Sequence, residues 1–100
     1  MMTAAAHPDA VLAALSARGL RELVDAVCAH RGVTPQELCG PQRTQAVAAA
    51  RHELWWLIRH HPHRNYSWSE IARIVQRDPA SILHGVAAHE RRCQHAAARP

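Results

Sequence analysis

Ser81 and His84 lie three residues apart, and each side chain can donate and accept hydrogen bonds. Side chains at this spacing are neighbours on one face of an α-helix. The small residues Ala80, Gly85 and Ala88 are expected on the same outward face. A slim face of this kind fits the major groove of B-DNA, which is about 12 Å wide. We therefore expect hydrogen bonds from this face to base edges, with an ordinary solvated helix face as the alternative.

Local signals on both sides of this segment predict a helix-turn-helix. Ser67 and Glu70 have the spacing of a capping box, which starts the first helix. Residues 75–77 form the turn. Asp78 then caps the second helix, and Pro79 fits its first position, where a missing N–H costs nothing. The apolar side chains expected to anchor the two helices are Trp68, Ile71, Ile74, Val75, Ile82, Leu83 and Val86.

Further helices are predicted before this motif. Pro8 opens the first and Gly19 stops it, whereas Thr34 and Glu37 form a second capping-box signal. Because a single glycine costs a helix only about 1 kcal/mol, the first two helices could instead be one bent helix. The expected ranges are about 8–18, 20–30, 35–38 and 44–60, and the last helix, from Pro79, is expected to fade near Cys93.

The composition predicts an all-α, compact multi-helix domain. Ala, Leu, Arg and Glu favour helices, and no stretch shows the alternation of a β-strand. Trp55 and Trp56 are adjacent on the longest helix, so they point about 100° apart. One is expected in the core and the other on a flank. We expect a disordered tail at residues 1–7, one DNA-binding domain at 8–93 and a C-terminal tail at 94–100.

Several other function classes lack support. The net charge of +4 suits nucleic acid but also many solvated surfaces. His52-Glu53 begins like a zinc-protease HExxH motif, but Trp56 occupies the second histidine position. The sequence contains no Gly-rich phosphate loop and no nucleophile elbow. We therefore expect no metal site, no cofactor and no catalytic residue, and the protein is not expected to be an enzyme.

The cysteines and the hydropathy suggest a reduced, cytoplasmic protein. The chain has three cysteines and no CxxC pair, so a disulfide framework is not expected. The N-terminal residues lack the basic region of a signal peptide. No apolar run approaches the roughly 18 residues of a membrane span. We expect a cytoplasmic, nucleoid-associated location and no membrane partner.

The order of these elements resembles the C-terminal DNA-binding domain of the bacterial replication initiator DnaA. The resemblance is carried by VCAHRGVTPQELCG at residues 27–40, by a basic loop with Arg43, and by YSWSEIARIVQRDPASILHGVAAHE at residues 66–90. It covers roughly residues 23–92. It implies a helix-turn-helix of the DnaA C-terminal or Trp-repressor-like type, and a double-stranded DNA partner.

The resemblance also implies site residues. The family's basic loop sends an arginine into the minor groove, and Arg43 matches that position. An Arg-Gln pair on the family's long helix contacts DNA, and Arg51 and His52 occupy its place. The full set of residues expected at the DNA is Arg43, Arg51, His52, Arg73, Arg77, Asp78, Pro79, Ala80, Ser81 and His84.

The family's signature has the form Gly-Gly-Arg-Asp-His-Thr-Thr-Val-Leu-His-Ala. Arg77 and Asp78 match its Arg and Asp, and Ser81 matches its second Thr conservatively. Pro79 and Ala80 replace the His and first Thr that help to read bases, and the turn lacks one Gly. The shortened turn also resembles the helix-turn-helix of many transposases and small repressors, although the upstream elements fit the initiator family better.

We expect a stand-alone DNA-binding domain, without the initiator's ATPase domain, acting in replication or transcription. The helix from Pro79 would enter the major groove and Arg43 the minor groove. The rival hypothesis is a protein-interaction or homodimerisation module, in which Pro79, Ala80 and Gly85 mark a lost base readout. Arginines gathered on one continuous positive face would favour DNA, and scattered arginines would favour the rival.

Overall fold

A computed structural model describes residues 7–97, which form six helices and no strand. The all-α prediction is therefore confirmed. The radius of gyration is 13.1 Å, which matches the roughly 13 Å expected of a compact chain of about this length. The helices are α1 (Pro8–Ala17), α2 (Arg21–Arg31), α3 (Pro35–Cys39), α4 (Gln45–Arg59), α5 (Trp68–Val75) and α6 (Pro79–Ala97).

Two helices begin with complete capping boxes, as the sequence predicts. The Glu37 backbone N–H donates to Thr34 Oγ1 at 3.1 Å, and the Thr34 N–H donates to Glu37 Oε1 at 2.9 Å. The same reciprocal pair joins Ser67 and Glu70, at 3.1 and 3.0 Å. Each box satisfies backbone donors that the first turn of a helix leaves without an intrahelical acceptor.

The first two helices are separate rather than one bent helix. Gly19 has a φ of 73°, a left-handed conformation that glycine adopts readily. Its backbone N–H donates to the Ser16 carbonyl, and the Leu20 N–H donates to the Leu15 carbonyl at 2.9 Å. Because Leu15 and Leu20 are both fully buried, this turn lets α2 leave at a new angle while keeping both leucines in the core.

The long helix α4 is the centre of the packing, and it contacts α2, α3, α5 and α6. Trp55 is 6% exposed and belongs to the core, whereas Trp56 is half-buried on a flank. Trp56 stacks on His60 and donates from Nε1 to Glu90 Oε2 at 3.3 Å. The division between the two tryptophans is as predicted. The largest fully buried side chains are Leu15, Leu20, Leu54, Ile58, Ile71 and Ile82.

Two predictions about the face of α6 are wrong. Leu83, expected as an anchor beside Ile82, is 48% exposed. Gly85, expected on the outer face, is buried where α6 crosses α4. A helix has 3.6 residues per turn, so the inward face follows Ile82, Gly85 and His89 at spacings of three and four. Leu83 lies on the side away from that face.

The helix α6 ends later than predicted. It continues to Ala97, beyond the expected end near Cys93, although residues 90–97 are all exposed. His7, placed by the sequence in a disordered tail, is the residue that precedes α1, and its N–H bonds to Gln76. The rest of the expected N-terminal tail, residues 1–6, and the last three residues of the C-terminal tail, 98–100, lie outside the described residues.

Candidate nucleic-acid interface

The turn between α5 and α6 is tight because Gln76 adopts a left-handed conformation, with a φ of 59°. Glycine is the usual residue in this conformation, since a Cβ raises its energy. The Arg77 N–H donates to the Ala72 carbonyl at 2.9 Å, which closes the end of α5. Gln76 Oε1 accepts from the His7 backbone N–H at 2.9 Å. The turn is therefore fixed both by its own backbone and by the start of α1.

Asp78 caps α6 as predicted. Its Oδ1 accepts the Ser81 backbone N–H at 3.0 Å, and its Oδ2 accepts the Ser81 hydroxyl at 2.9 Å. These hydrogen bonds from Ser81, backbone first, lower the pKa of the Asp78 carboxyl. In this arrangement the Ser81 hydroxyl hydrogen is already used. Only the lone pairs of its oxygen remain to accept a hydrogen bond from a ligand.

The start of α6 presents an exposed surface built from the residues that the sequence placed at DNA. Pro79, Ala80, Ser81 and His84 are all exposed, and Leu83 joins them. Pro79, Ala80 and Leu83 have apolar side chains, and the Ser81 hydroxyl already donates to Asp78. Among these five residues, His84 alone has side-chain nitrogens available to donate or accept a hydrogen bond. The surface is thus more apolar than the sequence pattern suggested.

Arg51 occupies a different place from the expected one. It is 6% exposed, and its guanidinium donates to four backbone carbonyls, two in α3 and two in the α3–α4 connection. Nε bonds to the Leu38 carbonyl at 3.0 Å, and Nη2 bonds to the Glu37 carbonyl at 2.9 Å. The remaining acceptors are the carbonyls of Gln42 and Gly40. Arg51 therefore organises the basic loop from within the core, and the expectation of a direct DNA contact does not fit this burial.

Arg77 reaches the same loop from the other side. Its Nη2 donates to the Gly40 carbonyl at 2.9 Å, so this one carbonyl accepts from both Arg51 and Arg77. Burial and the nearby Arg43 charge lower the pKa of Arg77. Burial, then Arg77 and Arg43, lower the pKa of Arg51 to about 10. Three arginines separated in sequence are thus gathered at one corner, where they produce a positive field.

Of these three, Arg43 has the most accessible side chain. It is exposed in the connection between α3 and α4, whereas Arg77 is half-buried and Arg51 is buried. Arg73 is also exposed, in the last turn of α5. The structure therefore brings Arg43, Arg51 and Arg77 together, and leaves Arg43 and Arg73 with guanidinium groups open to solvent.

His52 lies under α6 rather than on the outer surface. Its ring is 5.5 Å from the Trp55 ring, and its Nδ1 is 3.1 Å from Nη1 of Arg92, as an acceptor for that guanidinium. Burial, followed by the Arg92 charge, lowers the pKa of His52 to about 4. The imidazole is therefore neutral at pH 7. It supports the α4–α6 contact, at a site separate from the arginine corner.

The sequence did not predict the role of Gly40, and it placed Leu83 in the core rather than on this surface. In the sequence, Gly40 and Pro41 form an ordinary helix-breaking pair, yet the Gly40 carbonyl joins the basic loop to the helix-turn-helix. An added Cβ at Gly40 would lie 2.7 Å from the Gln36 carbonyl oxygen, so a larger residue would displace the loop. No local signal distinguishes such a glycine from an ordinary breaker, because the arginines that use it are 11 and 37 residues away.

The described residues contain neither a metal-binding cluster nor a membrane-spanning helix. Within residues 7–97, no three or more His, Cys, Asp or Glu side chains come together as a metal-binding group. In the same part of the chain, no helix combines the length and apolar character needed to span a bilayer.

A family model described as the bacterial DnaA protein helix-turn-helix matches residues 20–88 of the 100-residue chain. The matched region begins just before α2 and ends within α6, so it contains the basic loop, the turn and the exposed start of α6. The helix α1 lies outside it. Comparisons with curated proteins and with solved structures give no match.

Proposed function

The chain belongs to the bacterial DnaA helix-turn-helix family, and from this premise we propose that it binds double-stranded DNA. The start of α6 enters the major groove, with Pro79, Ala80 and His84 facing base edges. Arg43 enters the adjacent minor groove. Arg73 and Arg77 hold phosphates, and Asp78 and Ser81 fix the end of the helix that approaches the DNA. Arg51 and His52 support this surface from behind.

The observation that carries this proposal is the shared acceptor at Gly40. Arg51 and Arg77 both donate to its carbonyl, which ties the loop bearing Arg43 to the first residues before α6. A helix-turn-helix protein that uses two grooves needs its loop and its recognition helix held at a fixed separation. The same contacts concentrate positive charge, which attracts the phosphate backbone and makes the affinity depend on salt.

A fluorescence anisotropy titration with a labelled duplex at stepped salt concentrations tests the proposal. We expect affinity to fall linearly with salt on logarithmic axes, because bound arginines release counterions. The variant Arg43→Ala is expected to weaken binding and to reduce the salt slope by about one unit. Arg18→Ala is the matched control. It removes the same charge from an exposed residue. Arg18 lies at the C-terminal end of α1, whereas the contact between His7 and Gln76 is at the N-terminal end.

Two outcomes would overturn the proposal. One is the absence of measurable binding at low salt by a protein whose circular dichroism shows it to be folded. The other is an equal effect of Arg43→Ala and Arg18→Ala, which would indicate a diffuse charge effect rather than a defined surface. A double variant, Arg43→Ala with Arg77→Ala, extends the test, and it is expected to bind more weakly than either single variant.

We propose further that the DNA-binding unit comprises residues 8–93 and acts at the nucleoid in the cytoplasm, in replication or transcription. Family membership supports the DNA-related role. Chromatin immunoprecipitation with sequencing checks the location on the chromosome. Enrichment at discrete chromosomal sites is expected, and a distribution equal to that of an untagged control would contradict the proposal.

A second candidate is a homodimerisation or protein-interaction module, which the exposed apolar side chain of Leu83 favours. An exposed leucine beside Pro79 and Ala80 gives a small apolar surface of the kind found in interfaces. This candidate requires self-association or a tight protein partner together with feeble DNA affinity. Light scattering across a range of protein concentrations detects the self-association, and the anisotropy titration separates this candidate from the first proposal, which requires DNA binding by the protein whatever its oligomeric state.

A further inference from the structure

The helix α1 contacts both parts of the surface proposed to meet DNA. It lies outside the region that the family model matches, which begins at residue 20. It packs against α3, which leads into the basic loop, and against α5, which leads into the turn before α6. Its inward side chains Val11 and Leu15 are buried. A role of α1 at this surface is therefore one that the matched region alone does not contain.

The start of α1 touches one residue on each side. The His7 backbone N–H donates to Gln76 Oε1 at 2.9 Å, a contact between residues 69 positions apart. On the other side, a Cβ added to Gly40 would lie 3.3 Å from Pro8 Cγ. The proline ring therefore packs closely on the backbone of the basic loop, while the residue before it bonds to the turn.

One turn further along α1, Val11 lies beside the two arginines that join the loop to the helix-turn-helix. Val11, Arg51 and Arg77 line one small cavity. Both arginines donate to the Gly40 carbonyl. The helix α1 thus covers this shared contact from the core side, in addition to touching the loop and the turn.

Gln76 keeps an unfavourable backbone conformation at its contact with α1. Its φ of 59° is left-handed, where glycine is more stable than a residue with a Cβ. Such conformations persist where the surrounding structure holds them. Here the side-chain oxygen accepts the His7 N–H, a donor for which α1 itself has no acceptor. A glycine would relieve the backbone but could not form this bond.

We infer that α1 braces the DNA-binding surface, and that Gln76 is the positioning residue through which α1 holds the turn. By contacting Gly40 and Gln76 together, α1 fixes the separation between Arg43 on the loop and the start of α6. A protein that uses two grooves binds well only in the fraction of molecules with the correct separation. The inference rests on the proposed DNA binding and adds to it a segment outside the family region.

Two variants remove the same hydrogen bond from opposite sides. Gln76→Gly removes the acceptor and relieves the left-handed backbone, whereas His7→Pro removes the donor. We expect each to raise the Kd for a labelled mixed-sequence duplex by about fivefold, the change that one net hydrogen bond corresponds to. The double variant should bind no more weakly than Gln76→Gly alone. Gln94→Ala, near the exposed C-terminal end of α6, is the control and should leave the Kd unchanged.

Coupling to Arg43 separates positioning from a simple loss of stability. If α1 holds the loop in place, Arg43→Ala should cost at least about twofold less affinity in the Gln76→Gly background than in the wild type. The reason is that a displaced loop no longer delivers Arg43 to its groove. Arg73→Ala is the matched control, since Arg73 lies on α5 and moves with the helix-turn-helix. Its cost should be the same in both backgrounds.

Hydrogen exchange measured without DNA tests the brace independently. In both Gln76→Gly and His7→Pro, we expect the backbone amides of the basic loop, residues 40–44, to exchange about fivefold faster than in the wild type. The loop opens more often once the start of α1 is released from the turn, and the rate follows the free energy of that opening. Gln94→Ala should leave these rates unchanged.

The failures of the two proposals are distinguishable. Unchanged exchange in both variants would overturn the brace. A Kd raised by Gln76→Gly but not by His7→Pro would indicate a direct DNA contact of Gln76 and overturn its positioning role, as would equal costs of Arg43→Ala in the two backgrounds. A wild-type protein that fails to bind the duplex at low salt, with exchange altered as expected, would overturn DNA binding and leave the coupling between α1 and the loop intact.

Discussion

Gly85 packs directly against the Trp55 ring: a Cβ added to Gly85 would lie 2.5 Å from Cε3 of Trp55. It would also lie 2.7 Å from Cδ2 of His52. Both of these neighbours are on α4, so the absence of a side chain at Gly85 sets how closely α6 crosses α4. Because α6 carries the exposed residues at its start, this buried glycine helps to set the position of the proposed DNA-binding surface.

We expect Gly85→Ala to destabilise the protein by about 1–3 kcal/mol, the usual cost of overpacking a core. Alanine by itself would favour the helix by about 1 kcal/mol over glycine, so a net loss requires the contact with Trp55. The free energy of unfolding in urea, followed by tryptophan fluorescence, measures the effect. As a control, the same substitution should cost less in a Trp55→Leu background. An equal cost in both backgrounds would contradict the role of the ring.

We expect Arg51→Lys to lower the free energy of unfolding and to weaken DNA binding. A lysine cannot form the planar fork that reaches four carbonyls, and each buried carbonyl left without a partner costs about 1–3 kcal/mol. Arg73→Lys, at an exposed position, is the control and should change stability by less than about 0.5 kcal/mol. Full stability of Arg51→Lys with a loss of DNA affinity alone would instead support a direct contact.

We expect stability to fall as the pH is lowered from 7 to 5. Burial lowers the pKa of His52 to about 4 and also lowers that of His89, whereas an unfolded histidine titrates near 6.5. The unfolded chain then binds more protons than the folded protein, so protonation below pH 6.5 favours unfolding. The slope is at most about 1.4 kcal/mol per pH unit for each histidine. Urea denaturation at closely spaced pH values measures it.

His89→Leu provides the control for this pH dependence. His89 is 8% exposed, and its Nδ1 has no hydrogen-bond partner within the described residues. A leucine removes this unsatisfied atom, and we expect a higher free energy of unfolding with a shallower slope between pH 7 and 5. An unchanged slope in both His89→Leu and His52→Gln would show that other groups cause the acid effect.

We expect a chain truncated after Cys93 to keep its stability and its DNA affinity. Residues 94–97 are helical but exposed, so their loss should change the free energy of unfolding by less than about 0.5 kcal/mol. Truncation after Ala88 is the contrasting variant, because it also removes the buried His89 and the Glu90 that accepts from Trp56. Similar losses in both truncations would place the domain boundary beyond Cys93.

The sequence determined the helices because their signals are local. The capping boxes at Thr34–Glu37 and Ser67–Glu70 join groups three residues apart, so their spacing is visible in the chain itself. Gly19 was predicted as a helix stop, with one bent helix as the alternative, and its left-handed conformation decides for the stop. The helical spacing of apolar positions predicted α4, with one of Trp55 and Trp56 in the core, and the family resemblance followed from the order of these elements.

Tertiary structure alone decided which way several side chains face. Arg51 is buried because carbonyls of α3 and of the loop before α4 converge on it, and a charged residue at a helical position does not reveal such acceptors. Gly85 is buried and Leu83 is exposed, the reverse of the prediction. The angle at which α6 crosses α4 decides which face of α6 is covered. These outcomes depend on groups that are distant in sequence, so only the packed helices could determine them.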